Sequence, residues 1–169
     1  MDMGTFVSYQ GRPAVRFTRR YDHPAERLWT AITDPDELSQ WFPSKAVMEP
    51  RVGGSIEFSG DPNMPLSTGT ILVYEPPARL AYSWGGTELH FELEPAGPGE
   101  RGCVLTLINV LEAADEAARN AAGWSVCLGE LDKLTARSAG IVPARSWRDY
   151  YDAYIAAGLP SGARIPSAG

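Results

Sequence analysis

The residues of this sequence that could perform acid–base, metal or redox chemistry are few and widely spaced. His23 and His90 are the only histidines, which excludes a site with several histidine ligands. We interpret His23 as a residue at a helix start and His90 as a residue on the polar side of a strand. Cys103 and Cys127 fall on faces predicted to be buried, which favours small core residues over a disulfide framework. We therefore predict no metal site.

Motifs for cofactors and covalent catalysis are absent from the sequence. It contains no Gly-x-Ser-x-Gly, no P-loop and no dinucleotide fingerprint. Gly53-Gly54 and Gly85-Gly86 are interpreted as hairpin turns and not as phosphate-binding loops. We predict no cofactor and assign no catalytic residue.

Polar residues at inward-facing strand positions are the remaining chemical signal. If Phe17 and Tyr21 face the core, Arg19 between them does so too. A buried charge is costly unless it is paired, so we expect an inward Arg19 to meet a carboxylate such as that of Glu57, an anionic group of a ligand or water. The alternative is that Arg19 lies at the solvated end of the sheet. Asn109 is predicted to face inward by the same alternation. These positions leave ligand binding and acid–base catalysis open.

One long amphipathic helix organises the rest of the chain. Residues 117–135 repeat apolar side chains at alternating steps of four and three, with charged residues on the opposite face. Such a helix must bury its stripe on the sheet formed by the strands before it. Gly123 and Gly129 are expected to allow close approach to the sheet or the short helices and to leave space for a ligand. The stripe consists of Ala117, Ala121, Trp124, Leu128, Leu131 and Thr135.

Most of the chain before this helix is predicted to be strands. Leu89, Phe91 and Leu93 alternate with polar residues, as in a half-buried strand. Pro24 and Pro35 each open a short helix after the first long strand. This order predicts an α+β helix-grip fold, in which a curved antiparallel sheet wraps around the long helix. The predicted strands cover residues 5–9, 14–21, 46–49, 55–59, 67–74, 79–84, 87–94 and 103–111, with a loop over 60–65.

The last part of the chain is predicted to lie outside the main domain of residues 1–138. Residues 139–169 are expected to form a linker, a short helix over about 144–157 and a loose tail. Exposing a strongly aromatic helix face to water would be costly, so we expect it to dock on its own domain or across a homodimer interface. The apolar side consists of Trp147, Tyr150 or Tyr151, Tyr154 and Ile155.

Composition excludes several classes of function. The net charge of −6 and a pI near 4.9 argue against a nucleic-acid surface. No apolar run approaches the roughly 20 residues that a membrane span needs, and the first residues do not resemble a secretion signal. We therefore expect a cytoplasmic protein that acts neither on nucleic acid nor in a membrane.

Several short motifs, in order, resemble a known superfamily. Phe17-Thr-Arg-Arg-Tyr-Asp-His-Pro24, Leu28-Trp-Thr-Ala31 and Thr33-Asp-Pro-Asp-Glu-Leu-Ser-Gln-Trp-Phe42 resemble the start of a START-like (SRPBCC) domain. Over residues 14–138 the chain is similar to the branch named after the activator of the ninety-kilodalton heat-shock chaperone's ATPase, and we expect a bacterial member. The later motifs are Arg51-Val-Gly-Gly54, Phe91-Glu-Leu-Glu-Pro95, Leu105-Thr-Leu107 and Gly123-Trp124.

The resemblance implies the helix-grip fold and a cavity between sheet and long helix. The superfamily includes lipid carriers, hormone receptors, polyketide cyclases and oxygenase subunits. In this fold Trp41 and Phe42 would lie by the cavity mouth, either as core residues or as part of a ligand gate. The eukaryotic activator shares only its C-terminal domain with this chain, and we expect no counterpart of its chaperone-engaging N-terminal domain.

Binding of a hydrophobic or amphipathic small molecule in this cavity is the favoured interpretation. One alternative is a cyclase-like or hydratase-like enzyme that uses the same cavity. The other is a protein-interaction or chaperone-regulator role, for which Val104, Ile108 and Val110 would offer an apolar row on the outer face unless they are covered. The expected ligand-binding residues are Arg19 as polar anchor, Trp41, Tyr82, Trp84, Phe91, Leu107, Asn109, Trp124 and Leu128.

Overall fold

The strands of the chain form one antiparallel sheet. The computed structural model describes residues 3–60, 66–99, 101–135 and 145–165; most of the predicted loop over 60–65 and the predicted linker from 139 to 144 lie outside them. The strands are β1 (Thr5–Tyr9), β2 (Arg12–Tyr21), β3 (Lys45–Met48), β4 (Ser55–Ser59), β5 (Ser67–Glu75), β6 (Arg79–Trp84), β7 (Thr87–Pro95) and β8 (Cys103–Val110). Their order across the sheet is β1-β2-β8-β7-β6-β5-β4-β3, and each neighbouring pair is antiparallel.

The helices lie where the sequence predicts them, and the α+β helix-grip fold is confirmed. The described helices are too short or too polar to cross a membrane. A single 3-10 turn (Ala114–Glu116) precedes the long helix. The helices are α1 (Ala25–Thr33), α2 (Pro35–Trp41), α3 (Ala117–Thr135) and α4 (Trp147–Ala156).

Inward-facing side chains line up in rows across the strands. In one row Val15 pairs with Asn109, Asn109 with Leu89, Leu89 with Tyr82, and Tyr82 with Ile71. All five are buried, whereas the residues on either side of most of them point outward, because side chains alternate along a strand. This row therefore forms the floor on which the helices pack.

Local hydrogen bonds fix both ends of α2. The Asp34 carboxylate accepts from the Glu37 backbone N–H at 3.1 Å and caps the start of the helix. The Trp41 indole N–H donates to the Ala31 carbonyl oxygen of α1 at 2.8 Å. The end of α2 is thus held against α1, and the next residue, Phe42, is buried in the core.

The predicted stripe of α3 is buried in full. Ala118 and Ala122 are buried beside it, so the buried side of α3 carries only alanines up to Ala122. The expectation that Gly123 approaches the sheet or the short helices is wrong, because a Cβ there would lie 3.9 Å from the Trp147 Nε1 of α4. Gly129 has open space around it.

The aromatic side of α4 docks on α3 of its own chain. Tyr154 is fully buried; its hydroxyl oxygen accepts from the Gly4 backbone N–H at 2.8 Å and lies 2.6 Å from the Ser125 Oγ. Tyr151 is buried and stacks on Trp147. Tyr151 and Tyr154 are therefore covered within the chain. Ile155, expected on the same side, is instead 43% exposed.

The segment after α4 returns to the start of α3. The Pro160 carbonyl oxygen accepts from the Ala118 backbone N–H at 2.9 Å, and the Arg119 guanidinium donates to the Arg164 carbonyl oxygen at 3.2 Å. Backbone donors in the first turn of a helix have no partner within it. The segment after α4, up to residue 165, supplies a partner for one of these donors. Both α4 and this segment are therefore attached to α3.

The outer face of β8 is partly covered by side chains from the first two strands. Tyr9 packs its ring against His90 at 4.9 Å, and Arg12 reaches across β8 to the Glu88 carboxylate at 2.5 Å. The apolar row predicted on this face therefore offers little free surface. It consists of buried Val110 and half-buried Val104 and Ile108.

Replacing Tyr154 with Phe is expected to lower the free energy of unfolding by about 1–3 kcal/mol, because the Gly4 N–H and the Ser125 hydroxyl lose a buried partner. Urea denaturation measures the change. Tyr150→Phe on the half-buried side of α4 is the matched control, with an expected change within about 0.5 kcal/mol. Equal effects of the two substitutions would contradict the docking described here.

Candidate functional site

Seven aromatic rings meet between the sheet and α3. The Phe42 ring occupies the centre, with its centroid 5.6–6.5 Å from those of five other rings. Edge-to-face and tilted contacts predominate, which is the arrangement that aromatic quadrupoles favour. We call this group the aromatic layer. It consists of Trp41, Phe42, Phe58, Tyr82, Trp84, Phe91 and Trp124.

The structure brings most of the predicted ligand-binding residues together. Leu107 pairs with Phe91 in the sheet, and Leu128 follows Trp124 by one turn on α3. Phe58 was missed, although its alternation with Ile56 indicates an inward position. The predicted members of the aromatic layer are Trp41, Tyr82, Trp84, Phe91 and Trp124.

Asn109 lies inside this region but already has partners. Its amide oxygen accepts from the Trp124 indole N–H at 3.3 Å and from the Asn120 amide at 3.0 Å. Its amide nitrogen donates to the Glu88 carbonyl oxygen at 3.3 Å. The side chain therefore joins β7, β8 and α3 in the structure described here, and it positions the Trp124 ring.

Arg19, the predicted polar anchor, is outside the aromatic layer: it lies two residues along β2 from Phe17, whose row across the sheet contains Leu107 and Phe91, and further from Tyr82. It pairs with Leu105, which places it four residues along β2 from Val15 in the Tyr82 row, or about 13 Å at 3.3 Å per residue. The predicted contact with Glu57 is wrong, because Glu57 is exposed on the outer face of β4 while Arg19 follows the inward alternation of β2.

The inner face near Arg19 carries its own polar group. Tyr21 is buried two residues further along β2. Burial raises the pKa of its hydroxyl, and the Asp132 carboxylate of α3 raises it further, against the opposing effect of the Arg19 charge. The Arg19 end of the sheet is therefore ionic, in contrast to the aromatic layer.

Several buried polar atoms beside the aromatic layer have no hydrogen-bond partner within the described residues. The Tyr82 side chain is completely buried, and its hydroxyl is one of them. The register places Ser67 opposite Phe58, and Ser44 lies two residues before Ala46, which also pairs with Phe58. Buried polar groups normally have partners, so these atoms need an explanation. The atoms are the Tyr82 Oη, Trp84 Nε1, Ser44 Oγ and Ser67 Oγ.

The histidines and cysteines lie elsewhere. His23 contacts the Thr135 carbonyl oxygen at the end of α3 through its Nε2, and His90 lies on the outer face beside Glu88. Cys103 is buried, which raises the pKa of its thiol, and Cys127 is half-buried on α3. In the part of the chain that the structure describes, no three His, Cys, Asp or Glu residues are grouped as metal ligands.

The sequence and the fold both match known proteins. Residues 22–136 match the family model described as Activator of Hsp90 ATPase homolog 1-like protein. The chain belongs to this family. The match begins after β2 and ends with α3, so it includes both short helices and the whole aromatic layer. A comparison with curated proteins finds no match.

Solved structures share the fold of this activator-homologue chain at low sequence identity. The crystal structure of CalU16 from Micromonospora echinospora is 23% identical, covers 92% of this chain and 96% of its own, and has a TM-score of 0.69. EF2215 from Enterococcus faecalis, titled a conserved protein of unknown function, is 21% identical over 91% and 89%, with a TM-score of 0.74. BPP1335 from Bordetella parapertussis is 24% identical over 97% and 94%, with a TM-score of 0.66. These matches show the fold alone.

Replacing Asn109 with Leu is expected to lower the free energy of unfolding by about 2–3 kcal/mol, because the buried indole N–H of Trp124 loses its acceptor. The midpoint of urea denaturation, at unchanged m-value, measures the loss. Thr106→Val on the outer side of the same strand is the control and should change little. If Asn109→Leu lowered the free energy of unfolding no more than Thr106→Val does, the link between β8 and α3 would be contradicted.

Proposed function

We propose that this protein binds a hydrophobic or amphipathic small molecule at the aromatic layer, between the sheet and α3. START-like proteins generally bind hydrophobic ligands. The observation that carries the proposal for this chain is the Tyr82 hydroxyl, which is buried among rings without a hydrogen-bond partner in the described residues.

A tyrosine at this position costs stability in the ligand-free chain. An unsatisfied buried hydroxyl costs about 1–3 kcal/mol relative to one that is paired. A phenylalanine would fill nearly the same space without that cost. A ligand that supplies an acceptor recovers the lost hydrogen bond, so the same group that weakens the empty protein strengthens the complex.

Phe42 is the ring that a ligand must displace. The rings of the aromatic layer are in mutual contact, and Phe42 contacts five of them. Its backbone is extended, directly after the last residue of α2. A rotation of this one side chain frees space beside Tyr82, Trp84 and Trp124. Phe42 thus acts in this proposal as the gate of the site.

The first prediction from this proposal concerns stability without ligand. Tyr82→Phe is expected to leave the free energy of unfolding unchanged or to raise it by about 1 kcal/mol, because an unsatisfied buried hydroxyl is removed. Tyr154→Phe, at a buried tyrosine whose hydroxyl is bonded, should change it in the opposite direction. A loss of stability in Tyr82→Phe as large as that in Tyr154→Phe would show that the Tyr82 hydroxyl has a partner.

The second prediction concerns binding. We expect 2-ethylnaphthalene, titrated into ¹⁵N-labelled protein, to shift the indole N–H signals of Trp84 and Trp124 saturably. The signal of Trp29, which packs on Tyr74 outside the aromatic layer, should stay constant. Phe42→Trp places a larger ring at the centre and should weaken binding, whereas Phe6→Trp on β1 should not. Shifts that do not saturate, or that include Trp29 equally, would overturn the proposal.

A further inference from the structure

We infer that the ligand of the aromatic layer is an uncharged aromatic molecule that presents an acceptor oxygen to Tyr82 and Trp84. This inference rests on the proposed function and specifies the chemistry of its ligand. Three observations support it. The polar atoms without a described partner can donate hydrogen bonds, the described neighbours of Tyr82 are uncharged, and the surrounding side chains are aromatic rings.

The unpartnered atoms are hydrogen-bond donors. An indole N–H can only donate, so the Trp84 Nε1 requires an acceptor. Burial raises the pKa of the Tyr82 hydroxyl above its ordinary value, so this group keeps its proton and can donate as well. The hydroxyls of Ser44 and Ser67 can donate or accept. A ligand with an acceptor oxygen satisfies this set, whereas one that carries only donors leaves the indole unpaired.

The two main donors border the same space. The Tyr82 ring lies 6.5 Å from Phe42 and 5.9 Å from Phe58. The Trp84 ring lies 5.8 Å and 6.3 Å from the same two rings. Both residues are on β6 and face the same side, because they are two positions apart. A group that takes the place of the Phe42 ring therefore lies beside both rings.

The described neighbours of Tyr82 carry no charge. It pairs with Ile71 and Leu89 in the sheet, and its ring contacts are with Phe42, Phe58 and Phe91. The inward-facing cation on β2 is Arg19. It lies four residues along the strand from Val15, which is in the same row across the sheet as Tyr82. Burial of a carboxylate without a cation is strongly unfavourable. A fatty acid or another organic anion is therefore a poor ligand for this end of the inner face.

The walls favour a flat ligand. Phe42 and Phe58 are nearly parallel, with an interplanar angle of 17°, and Trp84 and Trp124 meet at 63°. When Phe42 moves aside, the incoming group replaces a phenyl ring among the same rings. An aromatic group restores the offset and edge-to-face contacts that Phe42 made, which an alkyl chain does only in part.

Three naphthalenes of similar shape test the inference: 2-acetylnaphthalene, 2-ethylnaphthalene and 2-naphthoate. Affinities are measured by isothermal titration calorimetry at neutral pH, and the indole signals by ¹⁵N–¹H correlation spectra. We expect the ketone to bind about tenfold more tightly than the ethyl compound, as one or two added hydrogen bonds imply, and the naphthoate to bind most weakly. Both the ketone and the ethyl compound should shift the Trp84 indole signal on binding, but the indole proton should lie further downfield with the ketone, because only the ketone of these two accepts a hydrogen bond.

Variants separate this chemistry from hydrophobic binding in general. Trp84→Phe and Tyr82→Phe should each reduce the ratio of the ketone's affinity to that of the ethyl compound several-fold, because each removes one donor to the ketone oxygen. Trp29→Phe should not change this ratio. If the ketone and the ethyl compound bind equally, or the naphthoate binds best, the inference is wrong while the proposed function stands. If none of the three binds, both are wrong.

Discussion

Burial of the α3 stripe on the curved sheet is the constraint on which the rest of the structure depends. The stripe begins with two alanines, so the helix backbone can lie close to the sheet there, whereas Trp124 and the leucines after it need more room. The hydrogen bond from the Trp124 indole to Asn109 fixes the rotation of the helix at the point where the side chains become large. The aromatic layer forms around that point.

The inner face of the sheet consequently has two ends of opposite chemistry. Near Arg19 and Tyr21, the charge of Asp132 at the far end of α3 is close enough to act on a buried hydroxyl. Near Tyr82 and Trp84 the described neighbours are uncharged, namely rings, aliphatic side chains and a few neutral polar groups such as the hydroxyls of Ser44 and Ser67. A low-dielectric interior discriminates strongly against unpaired charge, so the end near Tyr82 would tolerate a charged group far less than the end near Arg19 and Asp132.

Local periodicity predicted the elements and the direction of most side chains. Leu89, Phe91 and the α3 stripe were identified because alternation and helical spacing are properties of short stretches. The same alternation, with Ile56 and Phe58 inward, already places Glu57 outside. The distance of Arg19 from the rings could not be obtained in this way, since it depends on how far apart two inward residues lie along neighbouring strands. The contact of Pro160 with the start of α3 joins distant parts of the chain and has no local signal.

Family membership identifies the fold, and the ligand must be argued from the site itself. Structures with TM-scores of 0.66–0.74 share barely a fifth to a quarter of their residues with this chain, so their inner faces need not present the same donors. In this chain the rings alone would be an ordinary packed core. The buried donors among them, which have no partner within the described residues, are what supports the proposal of a ligand site, because a bound acceptor would compensate polar groups that otherwise cost stability.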